Sequence, residues 1–244
     1  MLISKSKDRI LDGEVLKVDF FNDFITFLKY TRENTIKRTA TGNISLADLS
    51  NLGKILKYKE IKQAFSEHKK FGWKVYTETV IQFIHLIRVL AGAMNLTYKR
   101  KGRFILSKIG KEYLENTSPF IQYQNMVLEY WQKINWSYFS PGREISGEKD
   151  FTELLQENRH VLWRLLLANG EKWIDFDNFC KTLMQYFHIE KFYLQSEYDR
   201  YGLKSDIQYC LFYRNLEPLG CLEIEGKIDK YKMREIKRFR PTKL

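Results

Sequence analysis

The chain has 244 residues, 44% of them hydrophobic and 15% aromatic, with a net charge of +11 and a pI near 9.4. That composition supports a sizeable core and excludes disorder as the default, and the length suits one large domain or two ordinary ones. No run reaches the ~18 unbroken apolar residues of a membrane helix, since even Val80–Met94 is interrupted by Gln82, His85 and Arg88.

Apolar residues at Phe20, Phe21, Phe24, Phe27, Leu28 and Tyr30 recur at helical spacing, so residues 19–33 predict a first helix. Thr39–Asn43 is a polar turn. Ser45 then caps a second helix, SLADLSNLGKIL, with Asp48 at the capping-box position. The Lys-rich stretch 57–74 reads as an irregular or frayed connection. Thr77–Met94 predicts a third helix whose polar residues form one narrow stripe, Glu78, Gln82, His85 and Arg88, so most of its surface is buried. Leu96–Arg100 and Arg103–Ser107 flank Lys101-Gly102, a hairpin signal, and Lys108–Glu115 returns to helix. Three helices followed by a hairpin is the winged-helix order.

Ser118-Pro119 opens a further helix to about Asn135, and the Pro-, Gly- and Ser-rich segment Ser137–Lys149 marks a boundary. Beyond it the same order of elements recurs. Asp150 caps FTELLQENRHVLWRLLLAN, Asp175 caps FDNFCKTLMQYF, and Lys204–Leu219 is a mostly apolar helix ended near Pro218 and Gly220. Two strands, Cys221–Glu225 and Glu235–Arg240, then flank KIDKYKMR. The expectation is a mainly α protein with short β-hairpins, α+β in class, made of two tandem winged-helix units joined by a helical linker. It places an N-terminal arm at 1–18, a first unit at 19–117, a linking helix and Pro/Gly segment at 118–149 and a second unit at 150–244.

Two stretches carry a family resemblance. ENTIKRTATGNISLADLSNLGKIL (Glu33–Leu56) resembles the helicase-associated winged-helix regions of the XPB type and certain plasmid-borne bacterial proteins. LIRVLAGAMNLTYKRKGRFILSKIGKEYLE (Leu86–Glu115) is similar to their helix, strand and T-x-x-G ending, with Ser107-Lys108-Ile109-Gly110 standing where T-x-x-G does. NLEPLGCLEIEG (Asn215–Gly226) is similar to the entry into their second wing, while FRPTKL departs from the usual T-x-x-G close. The resemblance implies a tandem winged-helix architecture and no particular activity, because winged helices serve DNA binding and protein docking alike. No G-x-x-x-x-G-K-[ST] phosphate loop is present.

The basic excess is concentrated. Residues 99–111 hold six basic side chains and no acid, residues 227–243 hold eight against two acids, and residues 54–74 hold seven against two. Together these segments carry +17 against +11 for the whole chain, so the remainder is net acidic. Charge gathered at both hairpins points to phosphate contact, by Lys99, Arg100, Lys101, Arg103, Lys108 and Lys111 in the first, and by Arg234, Lys237, Arg238 and Arg240 in the second. The third helices offer few base-reading groups (Gln82, His85 and Arg88; Gln208, Arg214 and Asn215), so backbone contact is expected over sequence reading. The leading expectation is non-catalytic binding of nucleic acid, duplex DNA first. The alternative is a protein-interaction or structural module, with Trp131, Trp136, Tyr138 and Phe139 as a joint between domains or a partner's seat.

No catalytic constellation stands out. His68, His85, His160 and His188 lack metal-ligand spacing, and no cofactor motif is found. Asp175 and Asp177 straddle a helix start, and Glu223 and Glu225 share one face of a strand beside basic neighbours. Cys180, Cys210 and Cys221 form no C-x-x-C, and MLISKSKDRILDGE has no secretory apolar core, so a reducing cytoplasm is expected.

Overall fold

The computed structural model describes residues 11–72, 77–142, 150–189, 197–228 and 234–244, with the backbone alone at 197–201, 228 and 234. Residues 1–10 of the arm expected over 1–18, Lys74, the segment 143–149, and Lys230 and Lys232 lie outside the described residues. The described chain is mainly helical with two small antiparallel sheets. It divides into two compact units, residues 1–134 and 135–244. Among the described residues no helix is long and apolar enough to cross a membrane.

The first unit is built on α1 (Asp19–Asn34), whose buried face is Phe20, Phe21, Phe24, Phe27 and Leu28, the helical spacing read from the sequence. These rings meet others edge-on: Phe20 against Tyr58 and Phe83 (both 5.9 Å), Phe21 against Tyr123 (5.8 Å), and Phe24 against Tyr113 (6.4 Å). α2 (Leu46–Ile55) starts at Ser45 as expected, the hydroxyl accepting from the Asp48 N–H.

The stretch expected to be irregular is instead a helix, α3 (Lys59–Lys70). Its lysines are the exposed side of an amphipathic pattern whose inner side includes buried Ile61. The backbone leading into its first turn is held from a distance. Asp23 on α1, 1% exposed, accepts from the backbone N–H of Lys57 (2.7 Å) and of Tyr58 (2.8 Å). A charge run hides such a helix because it has no local side-chain cap and the carboxylate that fixes its entry lies about thirty residues upstream.

The expected third helix begins later than its pattern suggests. Glu78–Val80 is a 3₁₀ turn, and α4 spans Gln82–Ala93. Then follow β1 (Thr97–Arg100), β2 (Arg103–Leu106), α5 (Lys108–Asn116) and α6 (Pro119–Lys133). α6, expected as the linking helix, packs into the first unit through Tyr123 and through the Tyr113 hydroxyl, which donates to the Gln122 carbonyl (2.5 Å).

Gly110 shows why the S-x-x-G segment needs its glycine. Ser107 caps α5 by accepting from the Gly110 N–H (2.8 Å), and a Cβ at Gly110 would stand 2.3 Å from the Leu96 carbonyl oxygen. Backbone cannot yield as a flexible side chain does, so Gly110→Ala is expected to cost about 2–3 kcal/mol, read as a lowered denaturant midpoint at unchanged slope.

The second unit runs α7 (Trp136–Phe139), α8 (Phe151–Glu157), α9 (Arg159–Leu167), β3 (Ile174–Asp175), α10 (Phe176–Phe187), α11 (Glu197–Ile207), a π-helix (Gln208–Leu216), β4 (Leu222–Ile228) and β5 (Arg234–Pro241). Asp150 and Asp175 cap α8 and α10 as expected. The expected helix at Lys204 starts earlier, at Glu197, and widens to π geometry where the Asn215 side chain donates to the Cys210 carbonyl. Phe176, Phe179, Phe212 and Phe239 meet edge-on in the core, with Phe212 and Phe239 at 4.7 Å. The β4–β5 register shifts at Glu225/Gly226, which leaves Lys237 as an unpaired bulge residue and lets Ile236 and Phe239 both face inward.

One connection recurs. In the first unit, residues 36–38 follow α1, bridge antiparallel to the second strand of the hairpin (Lys37 with Arg103) and lead into the helix capped by Ser45. In the second, β3 pairs antiparallel with β5, again the second hairpin strand, and leads into the helix capped by Asp175.

Candidate nucleic-acid interface

The first hairpin turns on two residues, Lys101 (φ +45°) and Gly102 (φ +68°). Left-handed geometry at both central positions suits the right-handed twist of the strands, and glycine takes the second position at no cost. Lys101 occupies a position that normally favours Asn, Asp or Gly. It is held there by β1–β2 pairing and by the Arg38 N–H, which donates to the Gly102 carbonyl (2.8 Å).

Below the turn the register is specific. Arg100 stands opposite Arg103, and Arg103 in turn stands opposite Lys37 through an isolated antiparallel bridge. Residues opposite one another in a ladder project from the same face, with Cα atoms ~5 Å apart. One rung thus carries three adjacent cations, all exposed. Like charges placed directly opposite destabilise a sheet. Among the described residues no carboxylate pairs with Lys37, Arg38, Lys99, Arg100, Lys101 or Arg103, whereas other surface cations do pair, such as Lys17 with Glu14 and Lys133 with Glu129. The Arg103 guanidinium donates to Thr35 Oγ1 (3.0 Å), which aims it along the rung.

The inward face of the hairpin, Phe104 and Leu106, is buried in the first unit's core. Lys37 is fixed by its own backbone: its N–H donates to Asp48 Oδ2 (2.9 Å), and its carbonyl accepts from the Ser45 N–H (2.8 Å). Asp48 also accepts from the hydroxyls of Tyr30 (3.0 Å) and Ser45 (2.7 Å). Lys37 and Arg38 were not singled out in the sequence. The signal available was the alternation of TIKR (Thr35–Arg38), a strand pattern hidden by its shortness. Lys108 and Lys111 are exposed on α5 at the base of the hairpin, about 13 Å of strand from the tip.

The stripe on α4 is committed elsewhere. Glu78 is fully buried, and its carboxylate holds His85 Nδ1 (2.6 Å), Arg88 Nε and the Ile44 N–H (2.8 Å). Burial alone would raise this carboxyl; the His85 bond, the Arg88 charge and the Ile44 N–H override it and hold Glu78 below the ordinary carboxylate range. Only Gln82 of the stripe remains exposed. In the second unit Gln208 accepts from the Ile236 N–H (3.0 Å), Asn215 is buried, and Arg214 lies over the Tyr209 ring.

The second hairpin differs from the first. Arg238 pairs with Glu225 (2.6 Å) and Arg240 with Glu223 (2.6 Å), each pair being register partners across the strands. Both guanidiniums also cover the Trp173 ring, at 4.8 and 4.9 Å. The carboxylates thus stand on one exposed face beside basic neighbours, as read, and they neutralise those neighbours. Lys237 lines a cleft with Asp175, Asp177 and Glu235. Arg234 opens β5, and its side chain lies outside the described residues.

Of the aromatic joint, Trp131, Trp136 and Phe139 are buried and Tyr138 is 63% exposed. The three cysteines are buried. Burial pushes the Cys210 thiol up to about 11 and that of Cys180 higher still, the opposite of an activated nucleophile. Among the described residues no group of three or more His, Cys, Asp or Glu is placed to hold a metal ion.

Compared with known proteins, the chain matches no family model, and no curated protein or solved structure is significantly similar to it. The site's own geometry therefore has to carry the functional reading. If the cationic rung exists for a ligand, removing one cation should stabilise the free protein. Arg100→Thr is expected to raise stability by a few tenths of a kcal/mol through relief of like-charge pairing, while weakening any anion bound there. A residue kept for structure alone would show no such opposition.

Proposed function

We propose that the chain is a non-catalytic nucleic-acid-binding protein of two tandem winged-helix units, and that it grips duplex DNA through the phosphate backbone with the first hairpin. The observation that carries this reading is the rung of Lys37, Arg103 and Arg100, which has no carboxylate partner among the described residues and is continued at the tip by Lys101; Lys99, opposite Phe104, adds a cation on the other face of the strand. Three cations side by side without a carboxylate cost folding energy, and a polyanion laid along them offsets that cost. Phosphates along a duplex provide such a row. The commitment of His85 and Arg88 to Glu78 leaves the first unit little with which to read base edges, so binding is expected to be nearly independent of sequence. The recurring strand-to-hairpin connection supports the winged-helix reading of both units. The second hairpin, with its arginines matched by Glu223 and Glu225, serves structure first.

The test is the salt dependence of binding to a short duplex. With four to six phosphate contacts, log affinity is expected to fall against log salt with a slope of roughly 4–5. A protein that binds no duplex near 50 mM salt, where phosphate contacts are strong, is not a DNA-binding protein. In that case the alternative, a protein-interaction module, takes its place, with exposed Tyr138 as the first residue to probe.

A further inference from the structure

Between α4 and β1 lies a cleft of ≈ 380 Å³. Its walls are apolar at Val89 and Phe104, aromatic at the rim through Tyr98, which is 43% exposed, and cationic at Arg88 and Lys99. No acid lines it. Gly92 forms part of its wall, and a Cβ built there meets no atom within 4 Å, so the space beside the helix is open. The volume lies in the range of small-molecule sites, and its lining mixes apolar and aromatic side chains with Thr97, Arg88 and Lys99, the combination by which such sites hold planar ligands that carry polar groups. Lys99 brings a cation to this cleft, and the next residue of the same strand, Arg100, belongs to the rung.

We propose that the cleft takes one unpaired nucleotide, its base against Val89 and Tyr98 and its phosphate at Lys99. The preferred ligand is then a duplex carrying an unpaired nucleotide rather than a fully paired one. This rests on the reading that the first hairpin grips duplex phosphates. Unstacked bases are bound by aromatic side chains regardless of sequence, since every base has a π-face. Lys99 suits the phosphate that accompanies the base, Arg88 being held by Glu78. A peptide added along the free edge of β1 is the competing occupant. It fits less well, because β1 is only four residues long and its exposed residues are Tyr98, Lys99 and Arg100.

The experiment compares three labelled ligands of one core sequence: a fully paired duplex, the same duplex with a single-nucleotide bulge, and the same duplex with a short single-stranded tail. Wild type is expected to bind the bulged or tailed form roughly tenfold more tightly than the paired form, about what one stacked base contributes. Gly92→Leu fills the cleft from a helical position with room for the side chain, and it is expected to bring all three ligands to one affinity without lowering the melting temperature. Tyr98→Ala is expected to remove most of the preference. Equal binding of all three ligands by wild type, or a preference that survives Gly92→Leu, overturns the cleft inference while leaving duplex binding in place, and would give the cleft to a peptide strand. Absence of binding to every ligand at low salt overturns both readings.

Discussion

Reversing the first hairpin's charge, with Lys99→Glu, Arg100→Glu, Lys101→Glu and Arg103→Glu together, is expected to lower duplex affinity on the order of 10³-fold near 100 mM salt. It should also take roughly 3–4 units off the salt slope, about 0.9 for each lost phosphate contact. All four side chains are exposed, so the fold should survive, with an unchanged far-ultraviolet circular dichroism spectrum. The informative control is the pair Arg238→Glu and Arg240→Glu. By charge count the two hairpins are equivalent; by structure they are not. Arg238 and Arg240 are held by Glu225 and Glu223, so their reversal should change binding far less. It would instead set four acids face to face across β4 and β5 and lower stability, by an amount limited by solvent because these side chains are about 40% exposed. Equal losses of affinity from both sets would mean that the second hairpin also meets phosphate.

That contrast marks where the sequence was legible. The hairpins, the caps at Ser45, Asp150 and Asp175, and the apolar face of α1 rest on local rules, and each was readable from neighbours within a few residues. α3 was missed because it has no local side-chain cap and the carboxylate that fixes its entry, Asp23, comes from another helix. The stripe on α4 looked free because the sequence does not show that Glu78 folds back on His85 and Arg88. Lys37 and Arg38 joined the candidate interface only through a bridge spanning more than sixty residues. Neutralisation of the second hairpin was half legible: the alternation of Glu223 and Glu225 was seen, but its register against Arg240 and Arg238 depends on the bulge at Lys237.

Glu78→Ala is expected to cost about 3–5 kcal/mol, because it strands a largely buried arginine, a buried histidine and the Ile44 N–H together. For a chain of this length that corresponds to a fall of roughly 10 °C in melting temperature. Retention of wild-type stability would mean that water replaces the carboxylate and that the site is not closed. The same group predicts a pH signature. Its folded-state pKa lies below the ordinary 4.5, so its contribution is complete above that value and is lost as pH falls through the depressed one. Glu78→Gln should therefore flatten the acid limb of the stability curve. Asp23 acts in the opposite sense. Burial, outweighing the N–H bonds from Tyr58 and Lys57, raises its pKa above 3.8, so its contribution is complete below that value and declines as pH rises through the raised one. Asp23→Asn should accordingly remove a term that favours acid.

Two carboxylates, Asp48 and Glu78, fasten opposite ends of the segment from Lys37 to Ile44, one at the Lys37 N–H and the other at the Ile44 N–H. What looks in sequence like a polar loop is thereby stapled to α1 through Tyr30 and to α4 through His85 and Arg88. The bridge that carries Lys37 beside the hairpin is therefore in place before the proposed ligand arrives. The conformational entropy of that segment is lost when the protein folds, not when it binds. Only the long side chains of lysine and arginine would remain to be ordered, at about 0.5–1.5 kcal/mol each, so under the proposed reading a small basic surface would meet the duplex backbone without first arranging its own.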